Sequence, residues 1–95
     1  MNDQPKPERK LQIQIDDEVA QGTYANMATV SHSPTEFIFD FIFVQPQQPR
    51  GKVRSRIITS PQHAKRFLVA LQENLRRYED RFGKIDPGNE PPPVH

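Results

Sequence analysis

Four cations fall within the seven residues 50–56, RGKVRSR: Arg50, Lys52, Arg54 and Arg56. Side chains alternate along an extended chain, so Lys52, Arg54 and Arg56 are expected on one face of a strand, where they could track a phosphate backbone. Lys65 and Arg66 follow shortly beyond and complete a candidate set for nucleic-acid or anion contacts. Single-strand binders interleave exposed aromatics with such cations so that bases can stack. Here the phenylalanines are expected on the opposite face, and the pattern reads more readily as a solvated, partly paired edge strand.

Other chemistry is thinner. Asp16, Asp17 and Glu18 form an acidic run that lacks the spaced oxygen ligands and glycine of a calcium loop, and they read as turn residues. With no cysteine and three histidines, a tetrahedral zinc site has almost no ligands to draw on. Ser60 and His63 lack an acid partner, and Glu36 and Asp40, two like-charged carboxylates without a cleft, do not make an acid/base pair. None of the four glycines belongs to a phosphate-binding loop. The expectation is no catalytic, cofactor-binding or metal-ligating residue, hence no enzyme. The net charge of +1 does not by itself imply a polyanionic partner.

Ten prolines punctuate the elements that must position these residues. Residues 11–15, LQIQI, alternate as a half-buried strand does; DDEVAQG reads as a turn region, and TYANMATVSH as a second strand. SPTE turns into a third strand, EFIFDFIFV, QPQQPRG turns again, and KVRSRIITS makes a fourth. Asn26 is disfavoured inside a strand, which points to a bulge or to a side chain bonding neighbouring backbone. The helix signal is the strongest. Ser60 is an N-cap with Pro61 at N1, and Ala64, Leu68, Leu71, Leu75, Tyr78 and Phe82 recur at helical spacing, widened by Phe67. Gly83 is expected to end it in the left-handed conformation, with Ile85 folding back. Glu73 with Arg77 and Arg76 with Asp80 are i, i+4 pairs.

In the third strand both registers are apolar except at Asp40. A hairpin pairing Val44 with Lys52 sets Ile42 opposite Arg54, Asp40 opposite Arg56 and Ile38 opposite Ile58, and gives the acid a cation across the strands. The alternative is an exposed surface pair of little worth. The other face then carries Phe37, Phe39, Phe41, Phe43, Val53 and Ile57. A four-residue loop before the third strand places Val30 beside Phe39.

The prediction is an α+β domain over 10–85, a four-stranded antiparallel β-meander followed by one long C-terminal helix, with a disordered arm at 1–9 and a disordered proline-rich tail at 86–95. A core this small, without cysteine, favours oligomerisation as reinforcement. One helix covers one sheet face, so Ile38, Ile42 and Ile58, or the overhanging Leu75, Tyr78 and Phe82, are the candidate dimer interface. The first ten residues lack an apolar h-region and no run approaches a membrane span, so a cytoplasmic location is expected.

GTYANMATVSHSPTEFIFDF followed by RSRIITSPQHAKRFLVALQENLRRYEDRFGKI resembles domain-of-unknown-function family 3467, a group of small prokaryotic proteins. The resemblance rests on the Y-A-N at 24–26, the H-S at 32–33, the E-F and D-F of the third strand, the S-P-Q-H-A-K helix start and the F-G at its end. It covers residues 13–85 and implies no activity, cofactor or catalytic residue. The expected architecture, paired into a dimer, is also similar to that of single-strand-binding transcriptional coactivators, an analogy of fold alone. The expected function is therefore a non-enzymatic, homodimeric adaptor or chaperone-like module with a protein partner; the alternative is a single-stranded nucleic-acid binder using the basic fourth strand.

Overall fold

The computed structural model describes residues 10–88, and the expected disorder at 1–9 and at 89–95 lies outside them. The elements are a short helix α1 (Asp17–Ala20), strands β1 (Met27–His32), β2 (Phe37–Val44) and β3 (Gly51–Thr59), and the long helix α2 (Pro61–Phe82). The strands form one antiparallel sheet in the order β1-β2-β3. The expected first strand is corrected: residues 11–15 join no ladder, so the sheet has three strands, and part of the expected turn after it is α1.

The β1–β2 register follows from the turn. Ser33 Oγ accepts from the backbone N–H groups of Thr35 and Glu36, and the Ser33 N–H donates to the Glu36 carbonyl at 2.9 Å. That four-residue turn sets Val30 opposite Phe39, as expected, and His32 opposite Phe37, whose rings stack at 5.3 Å. In the second hairpin Asp40 faces Arg56 and Ile38 faces Ile58, also as expected. A bulge then intervenes. Phe41 pairs with Ser55 but Ile42 pairs with Val53, which leaves Arg54 without a partner and shifts Lys52 opposite Phe43 and Gly51 opposite Val44. Val53 therefore joins the isoleucine face rather than the phenylalanine face. Gly51 fits closely there: a Cβ would stand 3.0 Å from a methyl of Ile42, which would have to give by a few tenths of an ångström.

Helix α2 begins as its residues dictate, with the His63 N–H donated to Ser60 Oγ at 3.2 Å and Pro61 in the first turn. It ends at Gly83, where φ is 98° and ψ 164°, outside the left-handed helical region expected. The Ile85 N–H is held by the Glu79 carboxylate at 2.9 Å. Ion pairs Arg77–Glu73 and Arg76–Asp80 form as expected, and Arg76 adds a second contact to Glu73 at 2.7 Å. These cations hold the Glu73 carboxyl below its ordinary pKa, Arg76 first.

The helix meets the phenylalanine face through its first half. Phe67 sits edge-on to Phe39 with ring centroids 5.6 Å apart. Ala64, Leu68 and Leu71 line an apolar hollow with Val30, Phe37 and Phe39. Beyond Leu71 the same stripe continues as Leu75, Tyr78 and Phe82, which are 42%, 50% and 65% exposed. The consequence is general: among the described residues no side chain is buried. The radius of gyration is 18.4 Å, against about 12 Å for a compact chain of this length.

Candidate basic hollow and ion pair

The expected basic row does not survive the bulge. Arg56 projects on the isoleucine face, where both nitrogens of its fork donate to Asp40: Nε to Oδ1 at 2.7 Å and Nη2 to Oδ2 at 2.9 Å. Lys52, opposite Phe43, belongs to the other face. Lys52, Arg54 and Arg56 thus do not share one face, and the Arg56 fork is engaged by Asp40. Lys65 and Arg66 lie on α2 and line a separate hollow with Gln62, Val69, Ala70 and Glu73. What remains together is Arg50, Lys52 and Arg54. They line one hollow with Phe43, Gln45 and Gln48 at the β2–β3 hairpin end.

Tyr24 stands edge-on to Phe43, with ring centroids 6.2 Å apart, and is itself 74% exposed. Its position is set by Asn26. The Asn26 side-chain amide donates Nδ2–H to the Val44 carbonyl at 2.9 Å and accepts the Val44 N–H on Oδ1 at 2.8 Å, while its backbone N–H donates to the Ile42 carbonyl. A side-chain amide carries the same donor and acceptor as a peptide group. Asn26 therefore continues the ladder one step past β1 and anchors the segment bearing Tyr24. Reading the residues one by one finds Asn26 as an anomaly but misses Tyr24 and Phe43 as neighbours of the cations, since only the bulge brings them together.

The ion pair is asymmetric in exposure: the Asp40 side chain is 14% exposed and that of Arg56 59%. The Arg56 hydrogen bonds hold the Asp40 carboxyl below its ordinary value, and the aspartate raises the arginine in turn. Arg56→Met is expected to destabilise the fold more than Arg50→Met, because it leaves a shielded carboxylate between Ile38 and Ile42 without its partner. Water on the arginine side screens the pair and keeps the effect modest. The sign with pH follows from the depressed carboxyl. The contribution is complete above about pH 4, the unfolded value, and is lost as pH falls through the lower folded value. Melting curves of both variants between pH 7 and pH 2 check this: the gap should narrow on acidification, and equal melting points at pH 7 would remove the pairing.

Other expected residues lie apart. Asp17 and Glu18 form the first turn of α1, and Asp16 caps it without a side-chain bond. Among the described residues no three potential ligands converge on a metal position. The candidate interface residues divide between two surfaces, Ile38, Ile42 and Ile58 on the sheet face away from α2, and Leu75, Tyr78 and Phe82 on the overhang of α2. No described helix is long and apolar enough to cross a membrane.

The family model described as "Protein of unknown function (DUF3467)" matches residues 1–87. The chain belongs to this family. No curated protein and no solved structure matches the chain. The DUF3467 match spans the Tyr24–Asn26 anchor, the bulged hairpin and all of α2, so the basic hollow and the overhanging helix both lie inside the family's domain.

Proposed function

We propose that this DUF3467 chain is a homodimeric binding or assembly module, an adaptor or chaperone-like protein rather than an enzyme. The observation that supports it is the lack of any buried side chain among the described residues. A domain is stabilised mainly by apolar surface removed from water, and a single copy leaves its helix stripe and one sheet face wet. A second copy supplies the missing layer, most simply through a two-fold interface. Of the two surfaces, the overhang fits better. The isoleucine face carries the Asp40–Arg56 pair at its centre, and covering it means desolvating both charges. On the overhang Arg81 lies over the Phe82 ring at 5.3 Å, exposed so that its charged head can stay in water, and Tyr78 and Phe82 already lie ring to ring at 5.0 Å. Sedimentation velocity at micromolar concentration is expected to give twice the chain mass of 11.0 kDa. A species of single-chain mass at all accessible concentrations overturns the dimer.

A second reading is favoured by the bulge: a single-stranded nucleic-acid site formed by Arg50, Lys52 and Arg54 around Phe43 and Tyr24. It supplies what the straight strand lacked, cations beside aromatic rings. Titration of a labelled oligothymidylate followed by anisotropy tests it. Three phosphate contacts predict a log–log salt slope of about −2 per site, and Tyr24→Ala should weaken binding by about ten-fold or more. Arg56→Met should leave it unchanged. No binding at low salt, or equal loss from both substitutions, sinks this reading.

A further inference from the structure

We propose that residues 11–15 form a β-strand donated to a second copy of the chain, pairing on the free edge of that copy's β1; this rests on the dimer proposed above. Leu11, Ile13 and Ile15 alternate with Gln12 and Gln14, yet they are 84%, 83% and 65% exposed. Among the described residues no backbone hydrogen bond involves 11–15. A strand face of three large aliphatic side chains, with its backbone groups unpaired, lacks only a sheet.

The sheet order leaves two free edges, β1 and β3. The β3 edge is protected against pairing by Lys52, Arg54 and Arg56 and by its bulge, the usual defences of a strand meant to stay exposed. Strand β1, MATVSH, holds no lysine, arginine, aspartate or glutamate. Its outward backbone groups can be assigned. Ser33 bonds Glu36, and Val44 turns its N–H and C=O toward Asn26. The even-numbered residues of β2 therefore address β1, and in the antiparallel ladder their partners Met27, Thr29 and Ser31 are engaged. The N–H and C=O groups of Ala28, Val30 and His32 point away from the sheet, ready for another strand. The apolar hollow between α2 and the sheet includes the edge residue Val30 with Phe37, Leu68 and Leu71. A strand beside β1 with Leu11, Ile13 and Ile15 toward α2 covers it.

The linker from Asp16 to Asn26 supplies the hinge. It contains α1 and then Gly22, whose φ of 79° suits glycine and few other residues. In a two-fold dimer the exchange is reciprocal, each chain giving one strand and receiving one.

Amide exchange and isotope-filtered NOEs, recorded on the full chain mixed from labelled and unlabelled copies, test the proposal. Expected are NOEs between residues 11–15 of one copy and β1 of the other, and protected amides at Ala28, Val30 and His32. Ile13→Pro, which removes a ladder donor at a site 83% exposed in the single chain, should speed exchange at those three amides by about ten-fold or more. It should leave the Ser60–His63 cap and the Asp40–Arg56 pairing intact. A dimer in which those amides exchange freely, or in which the NOEs lie within one chain, overturns strand donation and spares the dimer. A monomer overturns both.

Discussion

Tyr78→Asp is expected to convert a two-chain species into a soluble single chain of 11.0 kDa, whereas Ile58→Lys leaves the dimer in place. Tyr78 is half exposed on the overhang of α2, beside Phe82 and one turn from Leu75. In a dimer through this stripe the ring is desolvated at the centre of the contact. A carboxylate there must be desolvated together with the guanidinium of Arg81, which lies over the neighbouring Phe82 ring at 5.3 Å, and burying charge in such a position costs about 3 kcal/mol or more, a weakening of dimer affinity by about two orders of magnitude. Ile58 is similarly exposed, at 55%, but lies on the opposite sheet face near Arg56, where a further cation stays in water. The freed chain should also melt at lower temperature and with less cooperativity, because its helix packs on the sheet through Ala64, Phe67, Leu68 and Leu71 alone. The wild-type melting point should rise with protein concentration, as for any fold completed by association. Sedimentation of the two variants at matched concentration decides the surface. A dimer that tolerates Tyr78→Asp and breaks on Ile58→Lys places the interface on the isoleucine face instead.

Much of this fold was legible because certain residues leave few options. A serine followed by proline and a seven-member apolar stripe specifies a helix start and its inward side, and α2 begins and faces as read. An acid set among isoleucines requires a cation within reach, and Asp40 finds Arg56. The break came at Arg54. Strand faces are counted by strict alternation, and one extra residue reverses every later position; R-S-R carries no glycine or proline to mark the bulge. Val53 and Lys52 consequently exchanged faces, and the grouping of Arg50, Lys52 and Arg54 with Phe43 and Tyr24 could not be seen. Residues 11–15 illustrate a different limit. Alternation establishes that a segment has a strand's two faces, but pairing is a property of the neighbour, and nothing in LQIQI says in which chain that neighbour lies. Residues 17–20 read as turn in the sequence because four residues of helix are too few to display a period.

Asn26 offers the second large effect, and its two bonds can be separated. Asn26→Ala removes both contacts to Val44 and leaves the ladder open at the end of β2, at an expected cost of about 1 to 2 kcal/mol, or several degrees in melting temperature for a domain of this size. Asn26→Asp keeps an acceptor for the Val44 N–H but sets an ionised oxygen against the Val44 carbonyl, which now lies 2.9 Å from a donor. At neutral pH this variant should be the less stable of the two, since repulsion is added to a lost bond. Acid should restore part of the loss. A protonated carboxyl can donate to the carbonyl as the amide did, so folding favours the neutral form and raises the pKa of the introduced group. The recovered stability is then fully present below the unfolded carboxyl value and disappears as pH rises through the raised folded value. Its direction is opposite to that of Asp40, whose contribution vanishes in acid, so the two are distinguishable in one pH series. Tyr24 reports the same event from its ring: with the anchor gone, the edge-on contact to Phe43 at 6.2 Å loosens, and oligothymidylate binding at the basic hollow should fall together with the melting temperature. If Asn26→Asp and Asn26→Ala melt alike from pH 7 to pH 3, the amide is not acting as a peptide surrogate, and the position of Tyr24 must be set by the backbone bond from Asn26 to Ile42 alone.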